Sequence, residues 1–420
     1  MIKTAKLFIF VALSLVSLPM AAQDGGVFKR STVVKTFRSL MKDKKYDKAK
    51  EAIDQALAKH EEARGDAQFY CCEVEALNEL VGQENTKIYL QNKPDTLKFF
   101  QYIYTLYEMG LRCDSLEQRD VEATQAAGKK AEPKLRRTVG ELMLPYRANL
   151  LNAGKFYYKR RDYAKAYQFF DMYVKTKTSP VFIDKKGEQT VSDPDNTVSV
   201  SVLAVLSAYA TENHDGVMRY LTASLNDKEL EPQLTEMGSK SAATLGDTVE
   251  MVRLLEQGFE RYPKTEYFLL TLTRHYNEHG EYDKALEKAL RMTRLQPEER
   301  DYWYMAGKEQ MLMDKYEDAL SSFQHCVNIK ADDAESYSAI GNIYLRDAQE
   351  AYAQFNLPLS DPAYEEGKEN IQKLYQKACD AFEQARKYDE SKHDLWLPGL
   401  RETYFKLNKG KALKALERYK

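Results

Sequence analysis

One motif in the sequence has the residue types and spacing to support catalysis. His275, Glu278 and His279 follow the pattern His-x-x-Glu-His. On a helix the two histidines lie one turn apart, so their imidazoles could share a zinc ion while Glu278 acts as a general base. Such a site also needs a third ligand, and the sequence singles out none among its 64 acidic residues. The chemistry to weigh is therefore metal-assisted hydrolysis.

The surroundings of this motif favour a packing role. The motif spans the end of a predicted helix, with Tyr276 as a packing residue and Gly280 opening the following turn. The same pattern is typical of inverzincin peptidases, which carry it in an α+β domain, and the sequence predicts no such domain. We interpret the motif as a chance match within a helix, with a zinc peptidase as the remote alternative.

No other catalytic pattern stands out. The sequence lacks a G-x-S-x-G nucleophile motif, a phosphate-binding loop and a dinucleotide-binding glycine fingerprint. Its net charge is −2, so no strong field attracts nucleic acid or anionic lipid. Basic clusters at 42–48 and 129–137 lack interleaved aromatic residues and are interpreted as solvated helix faces. We expect no enzymatic activity, no cofactor, no metal and no nucleic-acid partner.

The composition predicts a helical protein. Gly and Pro are scarce, at 19 and 12 of 420 residues, whereas average soluble proteins carry about 12% of the two together. A β-sandwich or barrel needs turn residues every 8 to 12 positions or so, and a disordered chain is rich in Pro and Gly. Both classes are therefore disfavoured.

The N-terminal segment has the layout of a secretory signal peptide. Two lysines precede an apolar run from Leu7 to Leu18, and small residues follow. The run is too short for a membrane span. We expect a signal peptide over residues 1–23, cleaved after Ala22 or, alternatively, after Gln23. No Cys follows it, which argues against a lipid anchor.

The five cysteines do not form a disulfide framework, because they are few and odd in number. Cys71 or Cys72 could pair with Cys113 if their helices run antiparallel. Burial as small apolar residues is the alternative, and it is favoured for Cys326 and Cys379.

A 34-residue repeat is the strongest pattern in the sequence. Tyr282-Asp-Lys-Ala-Leu and Tyr316-Glu-Asp-Ala-Leu lie 34 residues apart. Units 266–299 and 300–333 align on these segments, and a third unit begins at 334. Small residues such as Gly307 let two helices cross closely, and units must stack because one pair cannot bury its apolar face alone. The aromatic, Gly, Tyr, Ala, Phe and Pro positions of these units resemble the tetratricopeptide repeat.

The resemblance implies an all-α fold, an α-solenoid of stacked antiparallel helix pairs. Weaker copies begin near residues 30, 147, 199 and 232. We divide the mature chain into a helical region of degenerate repeats at 24–140, repeat-like units at 141–231 and a repeat array at 232–420. A loop insertion is expected at 178–196. Extra residues near 347–373 predict an overlong helical pair.

The resemblance also implies a partner-binding face. In tetratricopeptide proteins the concave face is lined by fixed positions of each first helix. Carried onto this sequence, these positions give the predicted partner-binding residues Lys155, Tyr158, Arg274, Asn277, Tyr304, Lys308, Asn342 and Arg346. Aromatic anchors beside Arg, Lys and Asn donors suit an extended peptide or a partner helix. The alternative is that these are ordinary solvated residues.

The predicted function is a non-enzymatic scaffold for protein–protein interactions in the cell envelope of a Gram-negative bacterium. The C-terminal layout and the leader ending in Ala-Gln resemble exported tetratricopeptide proteins of Bacteroidetes-type bacteria. A glycan-binding outer-membrane component, similar to the SusD-like family, is the alternative. Such proteins are normally anchored through a Cys just after the signal peptide, and this sequence has none there.

Overall fold

The computed structural model describes residues 28–183, 187–191 and 196–419. The predicted signal peptide lies outside these ranges and stays a prediction. The chain divides into two compact units, one ending at Ser207 and the other beginning at Ala208. Within the described ranges the regular structure is helical, apart from an isolated bridge between Ile183 and Gln189. None of these helices combines the length and the hydrophobicity that a membrane span requires.

The first unit consists of consecutive helices joined mostly by short turns. They are α1 (Arg30–Lys42), α2 (Tyr46–Lys59), α3 (Glu61–Arg64), α4 (Ala67–Tyr89), α5 (Thr96–Ala126), α6 (Leu135–Met143), α7 (Arg147–Lys159) and α8 (Tyr163–Lys177), followed by α9 (Thr197–Tyr209) across the unit boundary. Helices α1 and α2, α4 and α5, and α7 and α8 pack as neighbouring pairs. The lengths of α4 and α5, 23 and 31 residues, explain why this region is helical in pattern but out of register with the repeat.

The insertion between α8 and α9 folds back onto the first unit. After a 3-10 turn at Pro180–Phe182, the amide of Thr190 donates to the Phe182 carbonyl at 2.7 Å, so these two residues lie side by side. The side chains of Val181 and Phe182 are buried. A Cβ on Gly140 of α6 would collide with the Val181 carbonyl. The absence of a side chain at position 140 therefore lets the insertion dock on α6.

The second unit contains the regular repeats. Its helices are α10 (His214–Ser224), α11 (Glu231–Thr244), α12 (Thr248–Arg261), α13 (Glu266–Glu278), α14 (Tyr282–Leu295), α15 (Arg300–Leu312), α16 (Tyr316–Ile329), α17 (Ala334–Gln354), α18 (Tyr364–Tyr388), α19 (His393–Lys406) and α20 (Gly410–Ala415). Helices α13, α15 and α17 begin 34 residues apart, as do α14 and α16. The predicted register is confirmed, and so is the predicted fold class, an all-α solenoid of stacked helix pairs.

The turn inside each pair repeats one backbone conformation. The dihedral angle φ is positive at Glu212, Gly246, Gly280 and Asp314, each 34 residues after the one before. A residue in the left-handed region commonly ends a helix, because it reverses the chain while satisfying the last carbonyls. The regularity extends the register back to Glu212, inside the degenerate pair predicted between residues 199 and 231.

Glycines mark the closest helix crossings, as the repeat pattern predicts. A Cβ on Gly307 of α15 would lie 2.8 Å from the ring of Phe323 in α16, and a Cβ on Gly341 of α17 would lie 2.8 Å from the ring of Phe382 in α18. Gly399 of α19 also faces Phe382, too closely to admit a side chain. One buried aromatic ring of α18 therefore packs against bare backbone on both neighbouring helices.

The last regular pair is longer than the others. Helices α17 and α18 have 21 and 25 residues, against 13 or 14 in α13 to α16. The extra residues near 347–373 lie in the end of α17, the following turn and the start of α18. Helix α19 packs against this pair. Its Trp396 is fully buried and donates from the indole N–H to the Asp389 carbonyl at 3.1 Å.

Candidate functional site

Hydrogen bonds join the first helices of neighbouring pairs in the second unit. The Ser239 hydroxyl of α11 and the Tyr267 hydroxyl of α13 lie 2.9 Å apart. The Asn277 amide of α13 donates to the Glu309 carboxylate of α15, also at 2.9 Å. Helices α11, α13 and α15 therefore lie side by side.

An arginine joins α15 to α17. The Arg300 guanidinium donates to both carboxylate oxygens of Asp333, at 2.5 and 2.6 Å, and to Glu335 at 3.2 Å. Burial opposes ionisation of Asp333, but hydrogen bonds from Arg300 and Ser336 lower its pKa below the usual value. This buried ion pair fixes the start of α17 beside α15. We call the exposed side of α11, α13, α15 and α17 the first-helix surface.

Three predicted site residues form a row on the first-helix surface. Arg274, Lys308 and Asn342 are the ninth residues of α13, α15 and α17, and all three are exposed. No hydrogen bond or ion pair holds any of these side chains within the described residues. We call these three residues the donor row. Because successive first helices are in contact, the row presents one free hydrogen-bond donor group per repeat.

Two other predicted site residues are engaged inside the fold. The Tyr304 ring has the Arg300 guanidinium 4.2 Å from its centroid and packs edge-on against Phe323. The Arg346 guanidinium stacks over the Tyr316 ring at 3.6 Å and donates to Asp347 and Glu350 at 2.8 and 2.9 Å. These contacts leave both side chains less available to a partner than the donor row is.

Two further predicted residues belong to the first unit. Lys155 is the ninth residue of α7, so it occupies the same repeat position as the donor row, and it is exposed. Tyr158, one turn further on, is half-buried and packs edge-on against Tyr163 at 5.3 Å between ring centroids.

The eighth predicted residue, Asn277, is half-buried beside the donor row and bonds to a buried carboxylate, Glu309, that was not predicted. Glu309 is only 4% exposed, and burial raises the pKa of its carboxyl although the bond from Asn277 lowers it. Oxygen Oε2 of Glu309 and oxygen Oδ1 of Asn277 have no hydrogen-bond partner among the described residues. Nothing in the sequence distinguishes Glu309 from the other charged residues of the helices, so this partner of Asn277 could not be predicted.

The two histidines of the His-x-x-Glu-His motif lie next to each other at the end of α13. The rings of His275 and His279 lie 4.3 Å apart, and Nδ1 of His279 donates to the His275 carbonyl at 2.8 Å. Tyr276 is buried and donates to Glu256 at 2.5 Å, which fits the predicted packing role. In the part of the chain that the structure describes, no three His, Cys, Asp or Glu side chains are grouped closely enough to hold a metal ion.

Comparisons with known proteins find similarity in structure alone. No protein-family model matches the chain, and no curated protein matches it. Among solved structures, MamA matches with a TM-score of 0.30 and 17% identity, over 42% of this chain and 86% of MamA. A TPR repeats protein from Bacteroides fragilis matches with a TM-score of 0.30 and 12% identity, over 61% of this chain and 97% of that one.

A third solved structure is the C-terminal part of a TPR repeat-containing protein from Cytophaga hutchinsonii. It matches with a TM-score of 0.34 and 12% identity, over 64% of this chain and 96% of that one. Similarities this low carry no argument about what the present chain binds. The assignment of its repeats depends instead on the 34-residue period, the left-handed turn residue and the glycine–phenylalanine crossings. In these features the helix pairs of the second unit resemble tetratricopeptide repeats.

Proposed function

We propose that this protein is a binding scaffold, not an enzyme, and that it holds an extended acidic segment of a partner protein on the first-helix surface. The observation that carries the proposal is the donor row. Arg274, Lys308 and Asn342 are exposed and unpaired within the described residues, whereas other cations of the first helices, Lys240, Arg300 and Arg346, form ion pairs.

The spacing of the row fits an extended chain. Packed helices lie about 8–10 Å apart, and an extended chain advances about 3.3 Å per residue. A strand crossing the first helices therefore meets one donor roughly every three residues. Carboxylates or carbonyls at that interval would each find a partner in the donor row.

The affinity of such a row should depend strongly on charge. Exposed ion pairs contribute about 0.2–1 kcal/mol each and weaken with salt. Reversing both cations of the row removes two attractions and adds two repulsions. We expect the double variant Arg274→Glu/Lys308→Glu to bind an acidic peptide about tenfold more weakly than the unmodified protein does at low salt. This difference in affinity should shrink as the salt concentration rises.

The test uses labelled peptides that differ only in arrangement. One peptide has Glu at every third position, a second has the same composition with the Glu residues clustered, and a third replaces Glu by Lys. Fluorescence anisotropy should rank the first peptide as the tightest binder. The matched control is Arg294→Glu/Lys330→Glu, which makes the same charge change at exposed, unpaired cations of α14 and the end of α16. Equal losses in both double variants would contradict the proposal.

The partner itself can be sought in the cell envelope, which we propose as the location on the basis of the leader-like N-terminal segment. Crosslinking and pull-down from an envelope fraction should capture a protein that the double variant Arg274→Glu/Lys308→Glu loses and the control retains. Binding of one glycan class, with no protein captured, would favour the glycan-binding alternative. The location is tested by N-terminal sequencing of the exported protein, expected to begin at Gln23 or Asp24.

A further inference from the structure

Two buried cysteines lie where the long helices of the first unit pack together. Cys71 lies on α4 and Cys113 on α5, and both are buried, at 2% and 0% exposure. The Cys113 thiol donates to the Ala67 carbonyl at 3.2 Å. That carbonyl belongs to the residue one turn before Cys71, and side chains on a helix lean toward its N-terminus. Cys71 therefore projects from the turn of α4 against which Cys113 packs, and its own thiol donates weakly to the Glu75 carboxylate at 3.9 Å.

The chemistry of the two thiols supports this placement. A hydrogen bond with the Cys71 thiol, followed by burial, raises the pKa of Cys113. Two cysteines can be bridged only when their helices bring the Cβ atoms within about 4.5 Å, and α4 and α5 are closely packed neighbours. Neither thiol has an exposed route to solvent, so the folded dithiol should be unreactive.

The neighbouring Cys72 provides a built-in comparison. It is also fully buried, but it packs in the cluster formed by Phe37 of α1 and Ala49 and Ile53 of α2. Its sulfur accepts weakly from the Gln68 amide at 3.8 Å. The consecutive residues Cys71 and Cys72 therefore lie on different sides of α4, Cys71 on the side of α5 and Cys72 on the side of α1 and α2.

We propose that Cys71 and Cys113 form a disulfide that ties α4 to α5 when the chain folds in the presence of an oxidising small-molecule disulfide. One thiolate attacks the glutathione disulfide and releases one reduced glutathione. The other thiolate then attacks the mixed disulfide, forming the Cys71–Cys113 bond and releasing a second reduced glutathione. The two cysteines are oxidised, one glutathione disulfide is reduced, and both thiol protons leave with the glutathione.

Burial predicts when the bond forms. The thiolate is the reacting species, and the folded protein disfavours it at Cys113. The exchange should therefore be fast during folding, before α4 and α5 pack, and slow once the unit is folded. The difference in rate between folding and folded protein distinguishes specific pairing of Cys71 with Cys113 from unspecific oxidation of accessible thiols.

The experiment refolds the full chain from denaturant in a mixture of reduced and oxidised glutathione, then alkylates free thiols and maps the peptides. We expect one crosslink, joining Cys71 to Cys113, in the refolded protein, and little crosslink in folded protein exposed to the same mixture. The bond closes a loop between residues 42 positions apart, which should raise the Tm of the first unit by about 10 °C relative to the reduced protein.

Matched variants keep the test decisive. Cys71→Ala and Cys113→Ala should each abolish the crosslink and the Tm difference between oxidised and reduced protein, whereas Cys72→Ala should keep both. Each variant is compared with its own reduced form, so a general loss of stability does not affect the outcome. A crosslink that involves Cys72, or fully alkylated Cys71 and Cys113 after oxidative refolding, would overturn the proposal.

Discussion

Replacing Gly307 by alanine tests the helix crossing on which the repeat register depends. The added Cβ would lie 2.8 Å from two carbons of the Phe323 ring. Carbon atoms in favourable contact lie about 3.5–4.0 Å apart, so the ring would have to retreat by roughly 0.7–1.2 Å. Phe323 is fully buried among Ala319, Ile340 and Ile343 and has little room to move.

The size of the effect follows from two opposing contributions. Overpacking a core costs about 1–3 kcal/mol, whereas alanine stabilises a helix interior by about 1 kcal/mol relative to glycine. Gly307→Ala should therefore change the free energy of unfolding by about 0–2 kcal/mol in the destabilising direction. The matched control is Gly410→Ala at the start of α20, where a Cβ meets no atom within 4 Å. It should stabilise the same unit by about 0.4–1 kcal/mol.

Tryptophan fluorescence during urea unfolding reports on the second unit, which contains Gly307. Both tryptophans of the chain, Trp303 and Trp396, lie in the second unit, and Trp303 stacks on His325 with ring centroids 4.1 Å apart. Phe323→Leu should rescue Gly307→Ala in part, with a coupling energy of about 0.5–3 kcal/mol. The assigned crossing is wrong if Gly307→Ala stabilises the protein as much as Gly410→Ala does. It is also wrong if the effects of Gly307→Ala and Phe323→Leu on the free energy of unfolding are simply additive.

Two further predictions concern a buried carboxyl and the repeat turns. Burial raises the pKa of Glu73 to about 7, against an attraction to Lys50 at 3.3 Å that lowers it. Because the folded pKa lies above the unfolded value of about 4.3, its contribution to stability is fully present below about pH 4 and is lost as the pH rises to about 7. Glu73→Gln should flatten the dependence of stability on pH and stabilise the first unit by up to about 3 kcal/mol at pH 8. Hydrogen exchange of the α4 amides measures this stability, and an unchanged pH dependence would contradict the assignment. Glu212→Gly and Asp314→Gly should each stabilise the second unit by about 1 kcal/mol, because glycine adopts positive φ without strain. Gly280→Ala should destabilise the unit by a similar amount. Melting curves that rank the three variants in another order would refute the shared turn conformation.

The repeat fold could be predicted because its signals are local. A 34-residue spacing of Tyr and Ala, with glycines at crossings, depends on contacts inside one helix pair and is visible in the sequence itself. The bounds of α17 and α18 could be predicted for the same reason, since the turn at 356–362 is marked by proline and polar residues. The first unit was harder, because α4 and α5 are longer than a repeat helix and pack by contacts that no fixed period describes.

The candidate site could be predicted only in part. Repeat position alone identified the donor row, because the ninth residue of a first helix faces outward in each unit. Repeat position also selected Arg346, the thirteenth residue of α17, which pairs with Asp347 and Glu350 on its own helix. It could not identify Glu309, whose partner Asn277 lies 32 residues earlier on another helix. Which donors are free depends on such pairings between side chains, and these are settled by the folded packing.

The shared ring of Phe382 bears on how the chain comes apart. The outermost units of a repeat array usually fray, since each contacts a neighbour on one side only. Here one side chain of α18 holds α17 on one side and α19 on the other, and neither helix can move away without exposing it. A protease or a pulling force acting at the C-terminus would therefore meet these three helices as a single block, and a shortened version of the protein should end before residue 334 rather than after residue 388.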